Sequence, residues 1–230
     1  MDFYTQTVSS LLFPFHERLK QHDTVKIRKE MEKTQWYRPE EIKKLQLERL
    51  KMFLTDVGQN VSYYQQQFKM QGFSPESITS LDDLRQLSLT DKPFIRKHAD
   101  QLKANDAYGL ARLNTGSSGE PLIFFIGKKR ISHDVAAKWG ATRWWNVDIG
   151  DPEVVIWGSP IELGAQDKIR LFRDKLLRTK LLPPCEMSVE KVNGFIRQIQ
   201  NMLLFGYPSA LAHIATQAKK NKPKAGSSRH

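Results

Sequence analysis

Cysteine is almost absent from this chain: Cys185 stands alone among 230 residues. One thiol closes no internal disulfide, which excludes the small disulfide-stapled scaffolds and favours a reducing, cytoplasmic setting. Long apolar runs are missing too. Val154-Val155-Ile156-Trp157 and Met202-Leu203-Leu204-Phe205 are far too short to span a bilayer, so no transmembrane segment is expected. The N-terminus, Met1-Asp2-Phe3-Tyr4, has no basic stretch leading into an apolar one, so no signal peptide is expected. The histidines at 16, 22, 98, 133, 213 and 230 show no metal-ligand spacing, and a single cysteine builds no zinc centre, so no metal site is expected from them. Internal repeats are also missing.

What is present reads as globular. Hydrophobic residues make up 40% and charged residues 27% of the chain, which argues against a disordered or fibrous protein. A chain of this length buries roughly 70% of the surface its unfolded form exposes, enough for a real core. The net charge of +11 is unevenly placed. Residues 1–105 carry 17 basic and 14 acidic groups, and residues 106–218 carry 14 and 11. The last twelve residues carry five basic groups and no acid. This tail, Lys219 to His230, is rich in Lys, Gly, Ser and Pro and is expected to be disordered. Basic residues interleaved with aromatics on a folded element would mark a nucleic-acid reader. The tail lacks that pattern, so no specific nucleic-acid partner is expected.

A second basic cluster runs from Lys168 to Lys180, where Lys168, Arg170, Arg173, Lys175, Arg178 and Lys180 face a single acid, Asp174. Ile169, Phe172, Leu176 and Leu177 are spaced for one helical stripe. The favoured expectation is a surface helix packing that stripe on the core. An interfacial helix on an anionic membrane, or a docking face for an acidic partner, are the alternatives.

Residues 1–105 read as mainly helical. Pro39-Glu40-Glu41 is a helix start with Pro in the first turn and acids at the positive end of the dipole. Ile42, Leu45, Leu50, Phe53, Leu54 and Val57 then recur at helical spacing up to Gly58, the expected stop. Further helices are expected over 61–70, ended by Gly72; from Ser80 through Leu87, opened by a capping box; and from Thr90-Asp91 to about His98. Residues 106–218 change character. Strands are expected at 110–113, 122–126, 154–157 and 203–205, the third buried on both faces. Helices are expected at about 130–145, through the basic cluster, from Ser188 to about Asn201, and from Pro208 to about Lys219. Strands alternating with helices mean an α/β fold.

The stretch Leu113-Asn114-Thr115-Gly116-Ser117-Ser118-Gly119-Glu120-Pro121-Leu122 places three hydroxyls and two glycines between two strands. Glycines let successive N–H groups turn into one concavity for anionic oxygens, and the hydroxyls add donors without bulk. Such a loop can hold nucleotide phosphates, and it can equally be an ordinary hairpin loop. It is not a Walker A loop, because the Gly-Lys-Ser/Thr ending is missing and a strand follows. Trp157-Gly158-Ser159-Pro160 follows the expected buried strand, at the end where α/β proteins place ligands; it can also be a loop whose Trp fills the core. Gly206-Tyr207-Pro208-Ser209 reads as a tight strand-to-helix turn, with or without an anion at the helix start. His133-Asp134 is expected on a helix surface, and Cys185 after Pro183-Pro184 is expected to be structural.

Thr115-Gly116-Ser117-Ser118-Gly119-Glu120-Pro121 resembles the Thr/Ser/Gly-rich loop of adenylate-forming enzymes. Glu32-Lys33-Thr34-Gln35-Trp36, Val61-Ser62-Tyr63-Tyr64, Ser80-Leu81-Asp82-Asp83-Leu84 with Leu89-Thr90-Asp91-Lys92, Trp157-Gly158-Ser159-Pro160 and Phe205-Gly206-Tyr207-Pro208-Ser209-Ala210-Leu211 extend it. This ordered set, over about residues 10–218, resembles the phenylacetate–coenzyme A ligase family, in the CapK-like branch of capsular polysaccharide biosynthesis proteins.

The resemblance implies a helical N-terminal region (1–105), an α/β portion of the large adenylate-forming domain carrying the phosphate hairpin (106–218), and the basic tail (219–230). It implies ATP with Mg²⁺, a small carboxylic acid substrate and coenzyme A as a possible acceptor. Thr115, Gly116, Ser117, Ser118 and Gly119 would hold the ATP phosphates. Trp157, Gly158, Ser159, Pro160, Tyr207 and Pro208 would line a substrate pocket. Glu120 stands where family members carry Lys and is expected to face outward. No catalytic residue is assigned.

The family's downstream motifs, the aromatic-Gly-x-Glu segment and the C-terminal lysine among them, are not found in the sequence. The expectation is an N-terminal half, not competent alone. The alternatives are a non-catalytic remnant or interaction module with a basic surface, and one half of a split enzyme completed by a second chain or a homo-oligomer.

Overall fold

A computed structural model describes residues 2–107, 110–115, 122–156, 168–182, 188–198 and 202–220. The tail from 221 onward lies outside the described residues. The chain divides into two compact units, one of residues 17–140, the other of residues 1–16 with 141–230.

The chain opens with the short α1 (Phe3–Thr7) and α2 (Phe13–Leu19), separated by a π-helical turn over Val8–Leu12. In the 17–140 unit, α3 (Thr24–Thr34) and α4 (Pro39–Asn60) are followed by α5 (Ser62–Gln71) and α6 (Lys92–Lys97). α4 opens as its composition predicts, with Pro39 in the first turn and Glu41 accepting from the Arg38 amide at 2.8 Å. It does not stop at Gly58 but continues to Asn60. The reason is packing. A Cβ at Gly58 would lie 2.9 Å from Phe68 Cδ2 of α5, so this glycine admits a neighbour and terminates nothing. Gly72 does end α5, in the left-handed conformation with φ 61°, where a side chain would be strained.

Ser80 and Asp83 form the expected capping box, on a 3₁₀ turn over Leu81–Gln86. Bonds from the Thr79 and then the Ser80 amide hold the Asp83 carboxyl below its usual range. Leu54, Val57, Val61, Phe68 and Ile78 make the core between α4 and α5. Phe53, expected on that stripe, is exposed. β1 (Ala111–Thr115) and β2 (Leu122–Ile126) form an antiparallel hairpin, and α7 (Lys128–Arg143) follows.

In the other unit, β3 (Glu153–Ile156), β4 (Thr179–Leu181) and β5 (Leu203–Gly206) form a parallel sheet in the order β4-β3-β5. α8 (Lys168–Leu176), α9 (Val189–Gln198) and α10 (Pro208–Lys220) lie along the chain between and after these strands. Parallel strands need such crossovers, and α9 covers the route from β4 to β5. Val154, Ile156, Val192, Ala210 and Ile214 form the core.

The expectation that β3 is buried on both faces is only half met. Val154 and Ile156 are buried, but Glu153 and Val155 are only partly covered. The basic cluster is not one helix: α8 ends at Leu176, Arg178 takes a positive φ of 53°, and Thr179–Leu181 turns into β4. Phe172, expected to pack on the core, is 64% exposed. The fold is α/β, largely helical with small sheets.

Candidate functional site

β1 and β2 pair so that Thr115 sits opposite Leu122 and Ala111 opposite Ile126. Residues 116–121 connect the two strands in sequence. Thr115, expected in the loop, is the last residue of β1. Gly116, Ser117, Ser118, Gly119 and Glu120 lie outside the described residues. The strand β2 alternates, with Leu122, Phe124 and Ile126 half-buried and Ile123 and Phe125 more exposed.

α6 lies against β2. Its start is fixed by Asp91, whose carboxylate accepts from the Phe94 amide at 2.8 Å. Phe94 stacks on His98 at 4.4 Å and meets Tyr63 edge-on at 5.0 Å. Lys103 Nζ lies 5.3 Å from the Phe125 ring, which sets a positive charge beside β2. Sequence reasoning does not single out Lys103, because a lone lysine carries no spacing signal.

The second set of expected residues belongs to the sheet of the other unit. β3 and β5 are parallel neighbours with Ile156 opposite Gly206, so their carboxyl ends share one sheet edge. Tyr207 leaves β5 there. Its amide donates to the Ile156 carbonyl at 3.4 Å, and its own carbonyl accepts from the Leu211 amide at 3.0 Å, opening α10 with Pro208 in the first turn. Gly206 is required by close approach, because a Cβ there would sit 2.4 Å from the Ile156 carbonyl oxygen. Tyr207 is 41% exposed. Trp157, Gly158, Ser159 and Pro160 follow Ile156 directly and lie outside the described residues. Thr115 and Tyr207–Pro208 thus stand in different compact units.

Other titratable groups serve structure. Glu17 is buried and accepts from Thr24 Oγ1 and from His22 Nδ1, the latter at 3.1 Å. Asp134 pairs with Arg130 one turn away on the surface of α7, as expected for a surface position. Cys185 lies outside the described residues. Among the described residues no group of three His, Cys, Asp or Glu could hold a metal ion. No helix among them is long and apolar enough to cross a membrane.

No family model matches the chain, and no curated protein matches it. Among solved structures, the fold is similar to a crystal structure of 2-hydroxyisobutyryl-CoA ligase in complex with 2-HIB-AMP and CoA, in the thioesterification state. The TM-score is 0.50 and the identity 20%, over 80% of this chain and 41% of that one. The fold is therefore similar to that of an adenylate-forming enzyme. The chain spans less than half the length of the ligase it matches.

Proposed function

We propose that this chain supplies the nucleotide-phosphate hairpin of an ATP-dependent carboxylate-activating protein, similar to acid–coenzyme A ligases and, by its motifs, to the phenylacetate–coenzyme A ligase family and its CapK-like branch. The observation that carries the reading is the register of β1 and β2. Thr115 ends β1 opposite Leu122, so the sequence Gly116-Ser117-Ser118-Gly119 falls between two paired strands, in a chain whose fold is similar to that of a ligase.

The donor set fits phosphate. Hydroxyls and glycine amides offer hydrogen to anionic oxygens, and the segment carries no apolar side chain to exclude them. ATP, when bound with Mg²⁺, supplies an activated α-phosphate and a pyrophosphate leaving group. The chain's part is to orient the leaving oxygens and hold their charge while a carboxylate approaches. Thr115, Ser117 and Ser118 would donate hydroxyl hydrogens, and Gly116 and Gly119 would let the backbone close around them. Tyr207 and Pro208, at the carboxyl edge of the parallel sheet, stand where α/β folds receive a ligand; they and Trp157 to Pro160 are assigned to the acid.

Calorimetry of the chain with ATP and with pyrophosphate tests this directly. Both are expected to bind, and Ser117→Ala with Ser118→Ala is expected to weaken both about tenfold. Melting temperature should be unchanged. No affinity for either ligand, or affinity indifferent to both serines, would overturn the assignment. Isotope exchange between pyrophosphate and ATP, with aryl and acyl acids supplied, then reports the chemical step.

A further inference from the structure

We infer that the α8 face of the sheet-bearing unit docks on an anionic lipid bilayer. The helix, the strand after it and the turn between them carry six basic groups against one acid between Lys168 and Lys180. Charge alone would make an ordinary solvated face. What departs from that is the apolar pair set among the cations: Leu171 is 54% and Phe172 64% exposed.

A third exposed apolar group is tied to the same helix. Tyr4 Oη donates to the Leu176 carbonyl at 2.8 Å, and Asp2 pairs with Arg178 at 2.9 Å. The Arg178 guanidinium also lies 4.1 Å over the Tyr4 ring. A bond from the Thr5 amide, with Arg178 second, holds the Asp2 carboxyl well below the usual carboxylate range. That clasp stays charged as pH falls. Phe3, between the two clasping residues, is 86% exposed.

Two of the cations are engaged internally, Arg173 with Asp174 and Arg178 with Asp2. Lys175 and Lys180 are exposed, and Lys168 and Arg170 add positive charge by sequence. Water rewards the lysines and penalises the leucine and phenylalanines. A polyanion such as nucleic acid rewards the lysines and leaves the apolar groups in water. Anionic headgroups over hydrocarbon reward both, since short apolar side chains enter the acyl boundary while the cations stay at the phosphates. The pattern is that of a face lying on the membrane. The inference stands independently of the nucleotide reading.

Flotation of the full chain with vesicles tests it. Vesicles of phosphatidylcholine with phosphatidylserine are expected to carry the protein, those of phosphatidylcholine alone to carry little, and added salt to release it. Leu171→Ser with Phe172→Ser is expected to cut partitioning about a hundredfold. Lys175→Ser and Lys180→Ser are expected to cut it about fivefold each. Phe53→Ser, exposed in the other unit, should change nothing.

Three results would overturn the inference. One is no flotation with anionic vesicles. Another is flotation that survives loss of Leu171 and Phe172, the mark of a general polyanion face. The last is salt-insensitive self-association abolished by those two changes, which would make the patch a protein contact. Should the double variant melt early, protection of the 171–176 amides from hydrogen exchange in the wild-type chain, with vesicles against without, gives the same decision.

Discussion

Gly206→Ala is expected to lower stability by about 3 kcal/mol, at the upper end for a core overpacked by one methyl. The added Cβ would meet the Ile156 carbonyl oxygen at 2.4 Å, the Ile156 Cβ at 2.7 Å and its carbonyl carbon at 3.0 Å. Two of these three are backbone atoms, so no rotamer change relieves the clash. Relief requires β5 to move away from β3, and that strains the parallel pairing from Glu153↔Leu203 to Ile156↔Gly206 and the bond from the Tyr207 amide. The core of Val154, Ile156, Ala210 and Ile214, with Leu204 of β5 packed against it, is built across that same pair of strands and α10.

Urea unfolding followed by far-UV circular dichroism reads the loss, and hydrogen exchange should show it concentrated at the β3 and β5 amides. Gly194→Ala is the matched control. That glycine lies inside α9 with nothing within 4 Å of a built Cβ, so alanine there should stabilise by up to about 1 kcal/mol. A Gly206→Ala protein as stable as the parent, with unchanged exchange in β3, would mean that the close approach is not the reason for glycine.

The contrast among these glycines shows where sequence reading succeeds. Gly72 stops a helix through its own backbone conformation, a local property, and is legible for that reason. Gly58 looks the same in sequence, yet its role is set by Phe68, ten residues on and on another helix. The expected strand over 122–126 is the strand β2 occupies, because five apolar residues between a proline and a glycine leave little choice. β4 is not legible. It has three residues inside a run of alternating lysines and arginines, and its strand character comes from pairing with β3, not from its own pattern. The stripe containing Phe172 is a true periodicity, but periodicity does not say what covers it. For the candidate site, the residue types of 115–119 suggest phosphate. What sequence does not supply is the register that closes the hairpin, or the sheet edge shared by Ile156 and Gly206 across fifty residues of chain.

Trp139→Ala carries the largest expected loss, about 4 kcal/mol. The indole is 3% exposed, and its removal leaves a void that the flanking helices cannot fill without moving. It also faces a charge. The Arg28 guanidinium of α3 lies 4.3 Å from the ring centroid and pairs with Glu32 one turn away, in a site where Arg28 is only 7% exposed. Removing the ring takes away the π face over which that cation is buried, so the cost exceeds that of the void alone. α3 and α7 are joined at a second point, where the Asp23 amide donates to buried Ser132 Oγ at 3.1 Å; this limits how far α7 can collapse into the gap.

Trp139→Phe keeps a ring over the guanidinium and should lose less than half as much. Arg28→Met, which retains the aliphatic stem, separates the two contributions in a double-mutant cycle with Trp139→Phe and Trp139→Ala. A coupling of about 1 kcal/mol between position 28 and the aromatic ring is expected. Coupling near zero, with Trp139→Ala as costly in the Arg28→Met background as in the parent, would assign the whole effect to lost packing.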